Sequence, residues 1–143
     1  MPLRSDVSIE VLQQKAQIGL PALLGLQVVA VTDGAVQMRL PIEARLLAPN
    51  GYLHAASVIA LADTACGFAC LAHLPDRAEN FTTIELKTNF LGTATNGSLL
   101  ARARPVHLGR TTQVWDATVS HVESGRPIAE FRCTQLVLWP KAA

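Results

Sequence analysis

Hydrophobic and polar positions along the chain change period only a few times. At residues 8–18, SIEVLQQKAQI, apolar Ile9, Leu12 and Ile18 follow Ser8, a natural N-cap, so a short amphipathic helix is expected, stopped by Gly19 and Pro21. From Leu26 to Val31 and from Ala35 to Leu40 two β-rich runs flank Asp33-Gly34, a pair that favours a two-residue hairpin turn. A polar, proline-containing loop, Pro41 to Tyr52, comes next. Residues 54–74, HAASVIALADTACGFACLAHL, then stay apolar over a helical length. Beyond them Phe81–Leu91, Ser98–His107, Thr111–Val122 and Ile128–Trp139 each alternate over at least part of their length. Asn96-Gly97, Leu108-Gly109-Arg110 and Ser124-Gly125 separate them as turn signals, which predicts an antiparallel meander of four strands.

The layout is two strands, one long apolar helix and four more strands. An antiparallel sheet with one apolar face needs a cover. Only the segment at 54–74 is hydrophobic enough to cover six strands, so the sheet should curl around it. The expected architecture is therefore α+β, a hotdog: a six-stranded curled antiparallel sheet wrapped around one long central helix, with a short N-terminal helix beside it. In the third strand alternation turns Ile84, Leu86 and Phe90 toward the helix and Glu85, Lys87 and Asn89 away, with Thr83 on the opposite parity from Ile84. In the fifth, Trp115, Ala117 and Val119 share a face.

Composition narrows the class. With 143 residues, 50% hydrophobic and 16% charged, residues 1–143 are expected to form a single domain with a full core. A net charge of +1 and no run of like charge give no electrostatic case for nucleic acid. The N-terminus MPLRSDVSIE lacks an apolar signal-peptide core, so a cytoplasmic location is expected, and the three cysteines are read as reduced thiols. Residues 55–74 are long enough to test as a membrane span, yet Asp63 at their centre costs about 2.5–3.5 kcal/mol on insertion scales, so a buried helix and no membrane partner are expected.

Asp63 is the feature that needs explaining. An unpaired charge in a core helix neutralises or finds partners, so this carboxylate is either carefully paired or put to use. Asp63, Cys66, Cys70 and His73 fall on one helical stripe, but a stripe roughly 15 Å long cannot converge on one tetrahedral ion, so no metal is expected. Cys66, Cys70 and Cys133 read as small core residues. Ser57 lacks the G-x-S-x-G elbow of a serine hydrolase.

The segments LAPNGYLHAASVIALADTACGFA, TTIELKTNFLGTA and HLGRTTQVWDATV, taken in order, resemble the phenylacetate-degradation branch of the hotdog acyl-CoA thioesterases. The likeness runs from about Leu26 to Leu138. Its most specific part is His54 followed nine residues later by Asp63, the spacing that family shows between its His-Gly-Gly and an acidic residue. Here His54-Ala55-Ala56 stands for His-Gly-Gly. Ala48 stands where many members carry Asn or Gln, with Asn50 as the candidate substitute or simply a turn residue. The resemblance implies hydrolysis of an acyl-CoA with a medium-chain or aromatic acyl group, with no cofactor beyond the CoA of the substrate. It implies that the N–H at Ala55 polarises the thioester carbonyl and that Arg110, Gly109 and His107 meet the nucleotide end of CoA. Arg102 and Arg104 read as solvent-facing.

Helix geometry constrains that picture. The first N–H groups of a helix, here those of Ala55 and Ala56, are preorganised donors for an oxyanion. Asp63 lies about 12 Å further along the axis at 1.5 Å per residue, too far for one chain to bring both to one carbonyl. Two copies with antiparallel helices would form two composite sites, so a homodimer is expected, or a tetramer of such dimers. Asp63 would attack the thioester or deprotonate a water, with Thr64 and Thr83 as candidates to hold carboxylate or water. His54 would line the pocket mouth or support the helix start. The rival readings are a noncatalytic acyl-CoA-binding module, a hydroxyacyl-thioester dehydratase and a structural homo-oligomer.

Overall fold

In the computed structural model, which describes residues 1–141, the chain begins with a helix α1, Ile9–Lys15, whose N-cap Ser8 accepts the Val11 N–H. A second short helix α2, Gly19–Leu24, follows where the sequence suggested only a stop. Pro21 lies in its first turn, where a missing N–H leaves no helical bond unmade. The hairpin β1, Gln27–Thr32, and β2, Ala35–Pro41, turns at Asp33-Gly34, with Gly34 at φ 73°. A loop with one 3-10 turn at Ala44–Leu46 leads to the central helix α3, Ala55–Ala72. Four strands complete the chain: β3 Asn80–Phe90, β4 Ser98–Leu108, β5 Thr112–His121 and β6 Pro127–Leu138.

The six strands form one antiparallel sheet in the order β1-β2-β4-β5-β6-β3, curled around α3, which packs against β2 to β6. The apolar run is thus a core helix. Ala55–Ala72 has the length and mean hydropathy, 1.7, to cross a membrane, yet most of it is buried inside the sheet. Helix-facing positions on β4 and β5 alternate strictly: Ala101 and Ala103 beside Trp115, Ala117 and Val119, all at most 1% exposed. Small residues on β4 make room for the indole of Trp115, and such complementary volumes are what a dense core requires.

The strand order departs from a simple meander in one place. β4, β5 and β6 run as successive hairpins, but β3 pairs with β6 and forms the sheet edge opposite β1. Residues 91–97 carry the chain across from that edge to the slot beside β2. The crossing is tied down by Leu91 and Gly92 N–H groups on Ile128 O and by the Leu53 N–H on Ala94 O. Asn96-Gly97 closes only the end of this crossing, so it is not a β3–β4 hairpin turn.

β3 carries a second departure. Its register against β6 slips between Thr83 and Glu85, so Ile84 is the extra residue of a bulge. Thr83 pairs with Gln135 and Leu86 with Cys133, both partners buried against the helix, so residues of opposite parity come to share the inner row. Ile84 is 55% exposed instead of facing the helix. Leu86 and Phe90 lie on the inner row but stay 41% and 47% exposed, because among the described residues no strand flanks β3 on its outer side.

Candidate active site

The bulge on β3 is what brings a hydroxyl to Asp63. With Thr83 turned inward, its Oγ1 donates to Asp63 Oδ1 at 3.1 Å. The strand can come this close because Gly67, one turn beyond Asp63, has no side chain. A Cβ there would sit 2.8 Å from Cζ of Phe81, whose ring lies on the helix instead. Asp63 is half-buried, and the loss of water around it raises its carboxyl above the ordinary value, with the Thr83 hydroxyl partly opposing that rise. Thr64, the other candidate partner, makes no side-chain hydrogen bond among the described residues. A half-buried carboxylate with a raised pKa and one oriented hydroxyl suits a nucleophile or a general base.

At the start of α3 the donors divide. His54 is the N-cap, and its Nδ1 accepts the Ala56 N–H at 2.9 Å. Of the two alanines, only Ala55 keeps an N–H with no acceptor among the described residues, at the positive end of the helix dipole. Ala55 lines a cavity of about 260 Å³ whose walls also include Leu53, Val58, Phe90 and Ile128. A larger cleft of about 670 Å³, reaching Arg126, adjoins it through Tyr52, Thr93 and Ala94. Asn50 lines the smaller cavity, and its Oδ1 caps the Tyr52 N–H at 3.2 Å in a turn closed by Gly51, φ 86°. Its role as a turn residue is therefore real, and it leaves the amide NH2 free for the cavity. Thr93, on the crossing segment, also lines this cavity, and no motif singled it out.

The expected nucleotide contacts gather at the β4–β5 turn. Gly109 is required by close approach: a Cβ would lie 2.6 Å from both Thr112 O and His107 Nε2. Its N–H is already spent on Thr112 O, so it is not available to a phosphate. Arg110 is exposed and stacks over Trp139, whose ring centroid is 5.1 Å from its Cζ, while the Trp139 indole N–H donates to Arg110 O. This turn lies where β3 begins, since Thr112 pairs with Leu136, and Leu136 with Thr82. The Ala55 cavity lies where β3 ends, at Phe90. The site residues thus fall into two groups at opposite ends of one edge strand: Asp63, Thr83 and the Arg110 turn at its start, Ala55 and Asn50 at its finish.

Gln135 is the residue that motif reasoning missed. It is fully buried and stands between Thr83 Oγ1, 3.0 Å away, and Cys133 Sγ, 3.2 Å away. Its signal was present in the alternation of β6, where Cys133, Gln135 and Val137 share the inner parity and only the glutamine is polar. The three cysteines are buried thiols. Burial pushes Cys70 up to about 12, and the bond to Cys133 with burial holds Cys66 well above its ordinary range, so neither is a nucleophile.

Comparison with known proteins follows the same outline. The sequence model of the thioesterase superfamily matches residues 50–128, a stretch that includes α3 and reaches into β6. The 1,4-dihydroxy-2-naphthoyl-CoA hydrolase of Listeria monocytogenes is 29% identical over 118 residues, covering 82% of this chain and 94% of that protein. The proofreading thioesterase EntH of Klebsiella pneumoniae is 26% identical over 138 residues, covering 96% and 99%. Among solved structures, a mutant of thioesterase PA1618 from Pseudomonas aeruginosa superposes with a TM-score of 0.89 at 29% identity, over 95% of this chain and 97% of that one.

Proposed function

Because the chain belongs to the thioesterase superfamily and is therefore an enzyme that hydrolyses thioesters, we propose that its substrate is an acyl-CoA and that Asp63 carries the chemistry. In this reading the Asp63 carboxylate attacks the thioester carbonyl carbon, the C–S bond breaks to release CoA thiolate, and water hydrolyses the mixed anhydride. Alternatively it takes a proton from a water that attacks instead. Either way negative charge develops on the carbonyl oxygen, and in this reading the Ala55 N–H at the helix end meets it. The apolar walls around Ala55 suit a medium-chain or aromatic acyl group. A relative whose name specifies a naphthoyl-CoA puts aromatic thioesters first for testing.

One observation carries the reading: the two half-sites sit at opposite ends of β3, an unpaired edge strand of 11 residues that bears exposed Ile84, Leu86 and Phe90. Such an edge is a template for another strand. A second copy paired antiparallel along β3 sets the Phe90 end of one chain beside the Thr83 end of the other. That carries Ala55 of one toward Asp63 of its partner, so each site in the homodimer is shared.

The test is thiol release from a panel of acyl-CoAs of short, medium and long chains together with aromatic ones, using wild type and Asp63→Asn. Turnover that falls about 10³-fold or more in a folded Asp63→Asn protein is the expected result. Turnover undiminished in that variant would remove Asp63 from the chemistry, and no turnover on any acyl-CoA would remove the substrate class. Sharing is tested by mixing. Asp63→Asn and Ala55→Pro chains, each inactive alone, should regain about a quarter of wild-type activity when re-associated, since half the dimers are mixed and each holds one intact site.

A further inference from the structure

The hydrogen-bonded chain behind Asp63 is longer than the hydroxyl that touches it. We propose that Gln135 is a positioning residue of the active site: with its side-chain amide turned over from the orientation in this structure, where Oε1 faces Thr83, its NH2 donates to Thr83 Oγ1 and so commits the only hydroxyl proton of Thr83 to Asp63. The proposal rests on Asp63 being the attacking or water-activating group.

Proton counting leads to it. Thr83 Oγ1 lies 3.1 Å from Asp63 Oδ1 and 3.0 Å from Gln135 Oε1, so as placed its single proton faces two acceptors. An ionised carboxylate can only accept, so the hydroxyl proton belongs to that bond, and the neighbour on its other side must then be a donor. The amide meets this by turning over to present its NH2 to Thr83, since amide oxygen and nitrogen are told apart only by their partners. Its other end, 3.2 Å from Cys133 Sγ, is then the oxygen and accepts the Cys133 thiol proton. Every donor in the sequence Cys133, Gln135, Thr83 then points toward Asp63, the arrangement in which successive bonds strengthen one another.

The reverse arrangement, whose amide orientation is the one in this structure, is equally complete. A protonated Asp63 gives its proton to Thr83, Thr83 gives its own to the amide oxygen, and the amide NH2 turns to Cys133. The amide orientation therefore distinguishes the two protonation states of Asp63. Gln113, Gln135's partner on β5, shows what a structural glutamine looks like in this fold. Its Nε2 donates to His73 O and its Oε1 accepts the Trp115 indole N–H, two groups that never change state.

The experiment is a carbon-detected NMR titration of the Asp63 carboxyl, with a pH profile of kcat/KM, in wild type, Gln135→Met, Thr83→Val and the double variant. Gln135→Met should move the titration and the acid limb to higher pH, so that kcat/KM falls about three- to tenfold more near pH 5 than near pH 8. In the Thr83→Val background Gln135→Met should move neither any further, because the amide acts only through the hydroxyl. A titration that stays in place, moves to lower pH, or shifts equally in both backgrounds overturns the proposal.

Should Gln135→Met not fold, Cys133→Ala and Cys133→Ser take its place. The alanine removes the donor behind the amide and should move the titration up, while the serine hydroxyl restores it; equal titrations overturn the proposal. The titration reads the resting protein. If Asp63→Asn kept its turnover, the catalytic reading would fail while the titration still judged the relay.

Discussion

The two ends of the central helix each carry a histidine, and the two do opposite things. His54 at the start is exposed and uses one ring nitrogen to cap the Ala56 N–H, leaving the Ala55 N–H beside a cavity. His73 at the finish is wholly buried. Its Nδ1–H donates to Ala69 O at 2.8 Å, its Nε2 accepts the Gly34 N–H at 2.9 Å, and its ring lies 5.4 Å from that of Trp115. Its carbonyl accepts from Gln113 Nε2, which ties β5 to the same corner. Both ring nitrogens are committed, so neither is left for a ligand. The closed end satisfies its polar groups and holds the β1–β2 turn to the core. The open end leaves one unsatisfied, and backbone polarity left over at a preformed cavity is where chemistry can be done.

The sharpest way to test that contrast is to delete the Ala55 N–H alone. Ala55→Pro does so at the first helical position, where proline fits, and His54 before it already has φ −65° and ψ 136°, the extended backbone that proline demands of its predecessor. Activity should fall about 10²–10³-fold with the melting temperature nearly unchanged, as for loss of one oxyanion donor. A variant that stays active would place the donor elsewhere. At the closed end, His73→Phe keeps the ring but strands the Gly34 N–H. It should lose about 2–3 kcal/mol in urea unfolding while the folded fraction keeps its kcat. A loss of activity without a loss of stability would reverse the contrast. A smaller effect is expected from His54→Ala, about 1 kcal/mol of stability for the missing cap, with kcat changed by less than about threefold because the Ala55 N–H is untouched.

How far these features could be read in advance depends on their range. The helix and all six strands followed from local period and turn residues, and no strand end differs by more than one position. Thr83 was a candidate partner for Asp63, but its inward orientation did not follow. Its parity in TTIELK points outward, and only the bulge at Ile84, which exists against β6, turns it in. The place of β3 at the sheet edge was equally hidden, because Asn96-Gly97 signals a turn without saying which strands it joins. Asp63 was legible because one carboxylate in an apolar helix is a local anomaly. Gln135 was a local anomaly too, a polar residue on an inward parity, but its meaning depends on Thr83 and hence on the bulge. Ala55 and Ala56 were indistinguishable as donors until the His54 ring chose between them.

Between the two ends lies Asp63, and pH reads the smallest of these effects. Burial raises its folded-state carboxyl above the ordinary value of 3.8, with Thr83 partly offsetting the rise. The folded protein therefore holds this proton more tightly than the unfolded chain does. Its contribution to stability is present below the ordinary carboxyl range and is lost as pH rises through the raised value. Asp63→Asn, similar in shape and uncharged, should melt slightly above wild type at neutral pH, with the difference closing as pH falls below the ordinary range. Thr83→Val should act in the opposite sense, melting lower at neutral pH and moving the acid limb of activity upward, since it removes the group that favours the charged form. The signs matter more than the sizes. An Asp63→Asn protein that melts below wild type at neutral pH would mean that the carboxylate stabilises the fold. The middle of the helix would then belong with its closed end rather than its open one.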